Sequence, residues 1–512
     1  MAAETFLQKF GISPEFVVQA PGRVNIIGEH VDHQYYPVFP CAINHHIDVG
    51  VAKTLTGSLL VIQHAESEYE TFDSGADYAN IRVGPKGTWW NYVVAAYLGC
   101  VEYLITGDIE RAGKVIDGTK GLADACVSAE IRERLPRLRI LVQGNVPIAS
   151  GVSSSSALCV ASALAVGSCF WGVLPFNRNQ LAVLVTEAER HSGTAGGGMD
   201  QAAICLSEVG KALKIEFKPL KVHCNCMPEG TSLVVVNTCE PAAKARDAPF
   251  MYNKRVFELR VGAYLLLKRG CDTLGLDAPA DLDGADTTYV LRQVQQYLGK
   301  SLVEMANLTR DLLKSTCMTK DDVEAVFPDA KRQTLLQYVG EDVWFLNDSF
   351  EVMRRCLHVF EETMRVEEFE VVCNSEATAE EKAVKLGELM NQSHESLTSL
   401  FECSSDQLNN VTKLAREGGA FGSRLTGAGW GGCTVSLVKT AEVESFIKHM
   451  VESYLIPALR LKMEGQSDIV IPVPAKGIEN ATVEDFKNQA FAVFPGKGVE
   501  LQKADGSVIP LC

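Results

Sequence analysis

No clustered lysine or arginine stripe runs along the 512-residue chain, and Asp plus Glu outnumber Lys plus Arg by 64 to 48, a net charge of −16. That balance argues against nucleic acid and anionic membrane as main partners, since both are bound through concentrated positive charge. The 16 cysteines are scattered without paired CxxC spacing. Cys224 and Cys226 form a near pair with no second pair to complete a zinc site. The start, MAAETFLQKFGISPEF, has no basic segment followed by an apolar one, so no signal peptide is read there. Reduced thiols in the cytosol fit this usage, and a cytoplasmic location is expected. There is no repeat at a fixed period and no low-complexity tract.

Two nucleotide-binding patterns are missing as well. A Walker-type phosphate loop needs a lysine after its second glycine, and the Gly/Ser-rich stretch 144–157 (GNVPIASGVSSSSA) has none. The nearest miss, 107–115, has one residue too many and lacks the final Ser or Thr. The stretch 427–432 (GAGWGG) matches GxGxxG in form. It precedes a strand-like run instead of following one and opening a helix, so the dinucleotide pattern fails. A glycine-rich turn there still implies close backbone approach to something.

What is present is the composition of a folded protein, 46% hydrophobic and 22% charged, on a chain long enough for two or three domains. The apolar run 157–176 is rich in Ala, Gly and Ser and lacks flanking basic residues. It reads as a helix buried on all sides, not as a membrane span. Helical spacing is also expected over 1–15, 89–105, 179–191, 252–268, 287–298, 343–365, 379–400, 406–417 and 441–454. Strands are expected at 16–20, within 41–64, at 140–142, 212–217, 232–236 and 433–439, with short ones in the tail. Residues 106–135 read as a charged insertion, and 218–230 as a linker between domains. Strands and helices mix without regular alternation, which predicts an α+β fold.

Three stretches concentrate chemistry. In 144–157 a Gly/Ser loop joins a buried strand to a helix. Gly151 permits close approach of a charged group, and the helix start offers unpaired N–H groups, so the loop suits an anion. Its four serines add hydroxyl donors and Mg²⁺ ligands; a flexible serine-capped loop is the plainer alternative. In 23–33, RVNIIGEHVDH packs Arg, Asn, Glu, Asp and two His into eleven residues. A metal site through His30, Asp32 and His33 is one reading. A carbohydrate pocket is the better one, because carboxylates and amides meet sugar hydroxyls in paired bonds of defined direction. In 196–201, GGGMDQ, Asp200 opens a helix either as a simple cap or as a base held against a substrate hydroxyl.

Taken in order, PGRVNIIGEHVDH, PIASGVSSSSAL and SRLTGAGWGGC resemble the three signature segments of the GHMP small-molecule kinases. The first is peculiar to the galactokinase branch, and GTAGGGMDQ, TWWNYV, MYNKRVFELR and GELMNQSHESL resemble the same branch. The resemblance runs from about residue 16 to 440 and weakens across 106–135, 270–380 and the tail. It implies a two-domain fold: a mixed-sheet amino-terminal domain, 1–222, and a ferredoxin-like carboxy-terminal domain with helical insertions, 223–512. The active site would lie in the cleft between them. It further implies ATP and galactose as substrates, transfer to the sugar C1 hydroxyl and Mg²⁺ as the accompanying ion; a monomer is expected.

By motif position, Asp200 would be the catalytic carboxylate near the C1 hydroxyl, with Arg23 beside it. Glu29, His30 and Asp32 would bind other sugar hydroxyls, with Gly197 and Tyr252 completing the pocket. Pro147, Gly151, Val152, Ser153, Ser154, Ser155, Ser156 and Ala157 would form the ATP-binding loop, and Trp89 would lie near the adenine. Ser155, or an adjacent serine, and Glu189 would hold Mg²⁺. The chain departs from the family after Asp32, where His33, Gln34, Tyr35 and Tyr36 replace the usual YNGG, and Val152 replaces the usual Leu. N-acetylgalactosamine kinases share most of these motifs; Tyr252 stands where they tend to have Phe, which favours galactose. Non-catalytic sensor relatives lack a Ser-Ala pair in the loop, whereas Ser156–Ala157 and Asp200 are present here.

Overall fold

The computed structural model describes residues 2–511, apart from 123–126, 149, 194–195, 241–249, 286–287, 315–316 and 475. Ala149 of the serine loop and Thr194 and Ala195 of the glycine cluster lie outside the described residues.

The amino-terminal layer is a seven-stranded mixed sheet. Its spatial order is Val508–Ile509, Glu500–Lys503, Phe16–Asn25, Pro40–Thr54, Arg137–Gly144, Leu60–His64 and Phe72–Asp73. Neighbours are antiparallel except Leu60–His64 against Arg137–Gly144. Between Phe16–Asn25 and Pro40–Thr54 the register shifts at Pro21/Arg23. Pro21 has no N–H to give the ladder, and a bulge there re-aims the side chain that follows. The helix Ser154–Trp171 packs on the Phe16–Asn25 and Pro40–Thr54 strands and on the helix Asn91–Thr106. It is buried continuously from Ser156 to Cys169, as expected of a helix apolar on every face. It is the one helix, among the described residues, long and apolar enough to cross a membrane, and 78% of it is buried in protein.

A second, antiparallel sheet has the order Gly422–Thr426, Cys433–Lys439, Thr231–Asn237 and Ala490–Val493. The helices Ala379–Ser399 and Asp406–Glu417 pack against its Gly422–Thr426 edge. A helical unit of Tyr252–Leu274, Leu302–Leu312 and Val352–Cys373 joins it through the contact of Val352–Cys373 with Ala379–Ser399.

The helices Leu302–Leu312, Lys320–Val326 and Asp329–Val339 fall where no element is expected, and three further elements differ from expectation. The stretch 218–230 holds a strand, Lys221–Asn225, which pairs with Ala212–Glu216; the 222/223 boundary falls inside it. The single helix expected over 343–365 is two, Asp342–Phe345 and Val352–Cys373, separated by the short strand Ser349–Phe350. Asn347, Asp348 and Ser349 there favour a turn over helix continuation. The tail strands divide: Ala490–Val493 joins the second sheet, while Glu500–Lys503 returns to the edge of the first.

Candidate active site

The bulge at Pro21 aims Arg23 away from its own sheet and onto the serine loop. Gly22 makes that approach feasible, since a Cβ there would lie 2.7 Å from the Val152 carbonyl oxygen. The Val152 carbonyl accepts the Arg23 backbone N–H at 3.1 Å. The buried Arg23 guanidinium then donates three ways: Nη1 to the Gly151 carbonyl at 2.6 Å, and Nε and Nη2 to Asp200 Oδ1 at 2.8 and 2.7 Å.

Asp200 sits in the first turn of the helix Met199–Leu206, whose N-cap is Gly198. Its carboxylate therefore does not cap the helix. The second oxygen, Oδ2, accepts Ser153 Oγ–H at 2.6 Å. Ser153 stands at the N-cap of the helix Ser154–Trp171 in left-handed backbone (φ 62), and its hydroxyl makes no capping bond because it is turned to Asp200. The Asp200 side chain remains 27% exposed and faces a cleft.

Glycine contacts supply the partner that the 427–432 turn implied. A Cβ on Gly427 would lie 2.6 Å from the Gly151 carbonyl oxygen, one on Gly151 2.8 Å from that of Thr426, and one on Gly432 3.0 Å from that of Ser150. The glycine turn and the serine loop pack backbone against backbone.

The remaining serine-loop residues divide between scaffold and wall. Val152 and Ala157 are fully buried in the core. The Pro147 carbonyl accepts Ser150 Oγ–H at 2.7 Å, fixing the turn, and Ser154 is half-buried at the helix start. Ser155 and Ser156 line the cleft. Ser156 Oγ donates to both oxygens of the buried Glu189, at 3.2 and 3.0 Å, and Gln201 Nε2 donates to the same carboxylate. A carboxylate and two serine hydroxyls are hard oxygen donors suited to Mg²⁺, which takes few protein ligands and fills its octahedron from phosphates and water.

On the opposite wall, the Glu29 carboxylate accepts the Gly427 N–H at 2.6 Å and lies 3.8 Å from Arg424. Burial pushes its pKa up, against the pull of Arg424 and Arg23. Burial likewise holds the His30 imidazole well below its usual value. That ring stacks on Phe401 at 4.2 Å, and its Nε2 lies 3.0 Å from the Ala428 carbonyl, which only a protonated Nε2 can serve. Burial opposes ionisation of Asp32, but hydrogen bonding and charge from His33 hold its carboxyl below the ordinary range. Asp32 Oδ2 also faces the Met199 N–H at 3.4 Å. Gly197 must be glycine: a Cβ would fall 2.5 Å from Asp32 Oδ2 and 2.4 Å from the His33 nitrogen. The Tyr252 ring lies 5.8 Å from that of His30, and burial pushes its hydroxyl pKa well up.

One cleft thus gathers Arg23, Glu29, His30, Asp32, Ser155, Ser156, Glu189, Gly197, Asp200 and Tyr252. Trp89 stands outside its wall: the indole donates to the Glu70 carbonyl at 3.0 Å and meets the edges of His64 and Tyr69. Its neighbours Lys86, Gly87, Thr88 and Tyr92 line the cleft instead, and so do Asp342 and Trp430. The turn composition of 84–88 (GPKGT) was a usable signal for the first three; nothing local marks Asp342.

A Gly/Ser loop at a helix start, a bonded Arg–Asp pair and a glycine turn closing the cleft fit the GHMP kinase resemblance of the motifs. Three family models match the chain: the galactokinase galactose-binding signature at residues 4–53, the GHMP kinases N terminal domain at 119–208 and the GHMP kinases C terminal at 375–456. The galactokinase of Dictyostelium discoideum is 34% identical over 499 residues, covering 93% of this chain and 92% of its own length. That of Saccharomyces cerevisiae is 30% identical, covering 85% and 84%. The crystal structure of Lactococcus lactis galactokinase complexed with galactose matches with a TM-score of 0.64 at 22% identity, over 97% of this chain and 98% of that one. The chain belongs to the galactokinase family.

Proposed function

We propose that the protein transfers the terminal phosphoryl group of ATP to the C1 hydroxyl of α-D-galactose, giving galactose 1-phosphate and ADP. The observation that carries this is the Arg23–Asp200–Ser153 constellation, set between the serine loop and the sugar-facing turn of a galactokinase-family chain. Phosphoryl transfer needs positioning and charge neutralisation more than covalent chemistry. Asp200, held at both oxygens, orients the C1 hydroxyl and takes its proton as the oxygen attacks. Arg23 is placed to balance the charge that develops on the transferred group. The N-terminus of the helix Ser154–Trp171 and the serine hydroxyls receive the ATP phosphates, in place of a phosphate-loop lysine. Mg²⁺ is the expected ion, with Glu189 and Ser155 or Ser156 to hold it, and when bound it supplies neutralisation of phosphate charge.

The protein is taken to act as a monomer. The described cysteines are free thiols, which favours a reducing, cytoplasmic setting. Residues 1–222 and 223–512 are taken as the two halves of the cleft, with the tail strand Glu500–Lys503 added to the first.

The test is a substrate panel. Purified protein with Mg²⁺-ATP and galactose should yield ADP and galactose 1-phosphate. A higher kcat/KM for N-acetylgalactosamine would reverse the choice of sugar, and sugar binding without turnover would point to a sensor.

A further inference from the structure

The turn that carries Glu29 and His30 is conformationally unusual. Gly28 has φ 101, and His30, which is not glycine, has φ 62. A non-glycine residue in that region persists only where its surroundings over-determine it. From the cleft side, the glycine turn holds Glu29 through the Gly427 N–H and His30 through the Ala428 carbonyl. From behind, two helices hold the backbone itself. Glu362, on Val352–Cys373, accepts the Gly28 N–H at 2.9 Å and Ser393 Oγ–H, from Ala379–Ser399, at 2.6 Å, both on Oε1. His358, one turn earlier on the same helix, places Nε2 3.1 Å from the Glu29 carbonyl and Nδ1 2.8 Å from Ser396 Oγ. A carbonyl only accepts, so Nε2 carries the hydrogen and Nδ1 accepts from Ser396.

His358 and Glu362 are completely buried and do not line the cleft. The groups facing them are charged as well as polar. Arg365 Nε donates to Glu362 Oε2 at 2.8 Å, and Arg424 acts on Glu362 from the second sheet. Burial opposes ionisation of Glu362, but Arg365, Arg424, His358 and the Ser393 bond hold its pKa at about 2. Burial lowers His358 to about 4, with Glu362 pulling the other way, so the imidazole is neutral at working pH. A buried, fully engaged carboxylate and a single-tautomer imidazole form a rigid support.

Taking the 28–30 turn as the sugar-facing element proposed above, we infer that Glu362 and His358 are positioning residues for sugar binding. They hold the backbone of Gly28 and Glu29 so that Glu29 and His30 face the pocket, and they do so without touching the sugar.

The test compares Glu362→Ala with Glu362→Gln, and His358→Ala with His358→Gln. Glutamine at 362 keeps an acceptor for the Gly28 N–H, and glutamine at 358 keeps a donor near Nε2. In folded alanine variants the galactose KM should rise about tenfold, with kcat per active site and the ATP KM within about twofold of wild type. The glutamine variants should recover most of that loss. Calorimetric titration with galactose alone should show the same ranking. If the alanine variants fail to fold, Ser396→Ala, which removes only the hydroxyl behind His358, should raise the galactose KM about threefold. An unchanged galactose KM in folded variants, or a parallel rise in both KM values, would overturn the inference. Failure of the wild type to phosphorylate galactose would instead sink the functional reading, leaving the sugar titration to judge the support.

Discussion

The two walls of the cleft are built by opposite means. The donor wall is backbone on backbone: Gly151 meets Thr426 and Gly427, and Gly432 meets Ser150, at distances that leave no room for a Cβ. The acceptor wall is a strained turn held by buried side chains, with Glu362 and His358 behind it and Glu29 and His30 locked onto the glycine turn in front. Close backbone approach leaves a compositional trace, because only glycine permits it. A buried polar support leaves none, since its residues lie more than 300 positions from the turn they hold. The walls meet at Asp200, which reaches the serine loop through Ser153 and the PGR bulge through Arg23.

Breaking that junction should have the largest effect. Asp200→Asn keeps the size of the side chain but removes the proton acceptor. It is expected to lower kcat by at least about 10², the low end for loss of a general base, while galactose binding changes little. Steady-state kinetics beside calorimetric titration checks this, and wild-type turnover in the variant would show that Asp200 is not the catalytic carboxylate.

The next pair of variants separates the walls. Gly151→Ala sets a Cβ against the Thr426 carbonyl from a backbone at φ 82. Gly197→Ala sets one against the Asp32 carboxylate. Strain of this kind is of order 1–3 kcal/mol, so each should raise one KM by about tenfold or more. For Gly151→Ala that should be the ATP KM, and for Gly197→Ala the galactose KM. Equal rises in both constants for either variant would show that the walls are not independent.

The same contrast explains what could be read from the chain. Strand Cys433–Lys439 and helix Asp406–Glu417 lie where pattern placed them, because each is strongly periodic and bounded by glycine. The strand Lys221–Asn225 is hard to read because it is short and largely exposed, its alternation rests on Val222 and Cys224 alone, and Pro219 and Pro228 flank it. The serine loop was legible as an anion site from its own composition. The Arg23–Asp200 bond is not legible from composition or spacing, since the partners are 177 positions apart; only the family resemblance brings both residues to the C1 hydroxyl. Local spacing also could not decide between Ser155 and Ser156. Helical phase turns Ser156 onto Glu189 and sets Ser155 beside Tyr92, with both lining the cleft.

Acid should strain the acceptor wall. His358 and His394 are both lowered by burial to about 4 in the folded chain. As pH falls, the unfolded chain therefore binds these protons first. Their stabilisation is fully present above the ordinary histidine pKa and is lost between about pH 6.5 and 4. Glu362, held at about 2, has the same sign in a lower window, below the ordinary carboxylate pKa. Thermal unfolding should therefore show a flat Tm above about pH 7 and a decline below 6.5. His358→Gln should flatten part of that decline; an unaltered slope would mean that His358 does not titrate there.

The smallest effect is expected at the mouth of the donor wall, where a single side chain does what elsewhere takes a network. Among the described residues, the cleft is lined by the carboxylates Glu29, Asp32, Glu189, Asp200 and Asp342 but by only two strong bases, Arg23 and Lys86. Arg23 is committed to Asp200. Lys86 is exposed, yet its turn is pinned: Gly84 N–H donates to Asn91 Oδ1 at 2.7 Å, and Asn91 Nδ2 donates to the Pro85 carbonyl at 2.9 Å. Lys86 therefore stands on a pinned turn at the mouth of an otherwise acidic cleft, where a polyanionic nucleotide would meet its charge. An exposed charge contact contributes no more than about 1 kcal/mol, so Lys86→Ala should raise the ATP KM about threefold. The effect should shrink at high ionic strength, as screening requires, and leave the galactose KM alone. A rise in the galactose KM instead would place Lys86 on the acceptor side and blur the division between the walls.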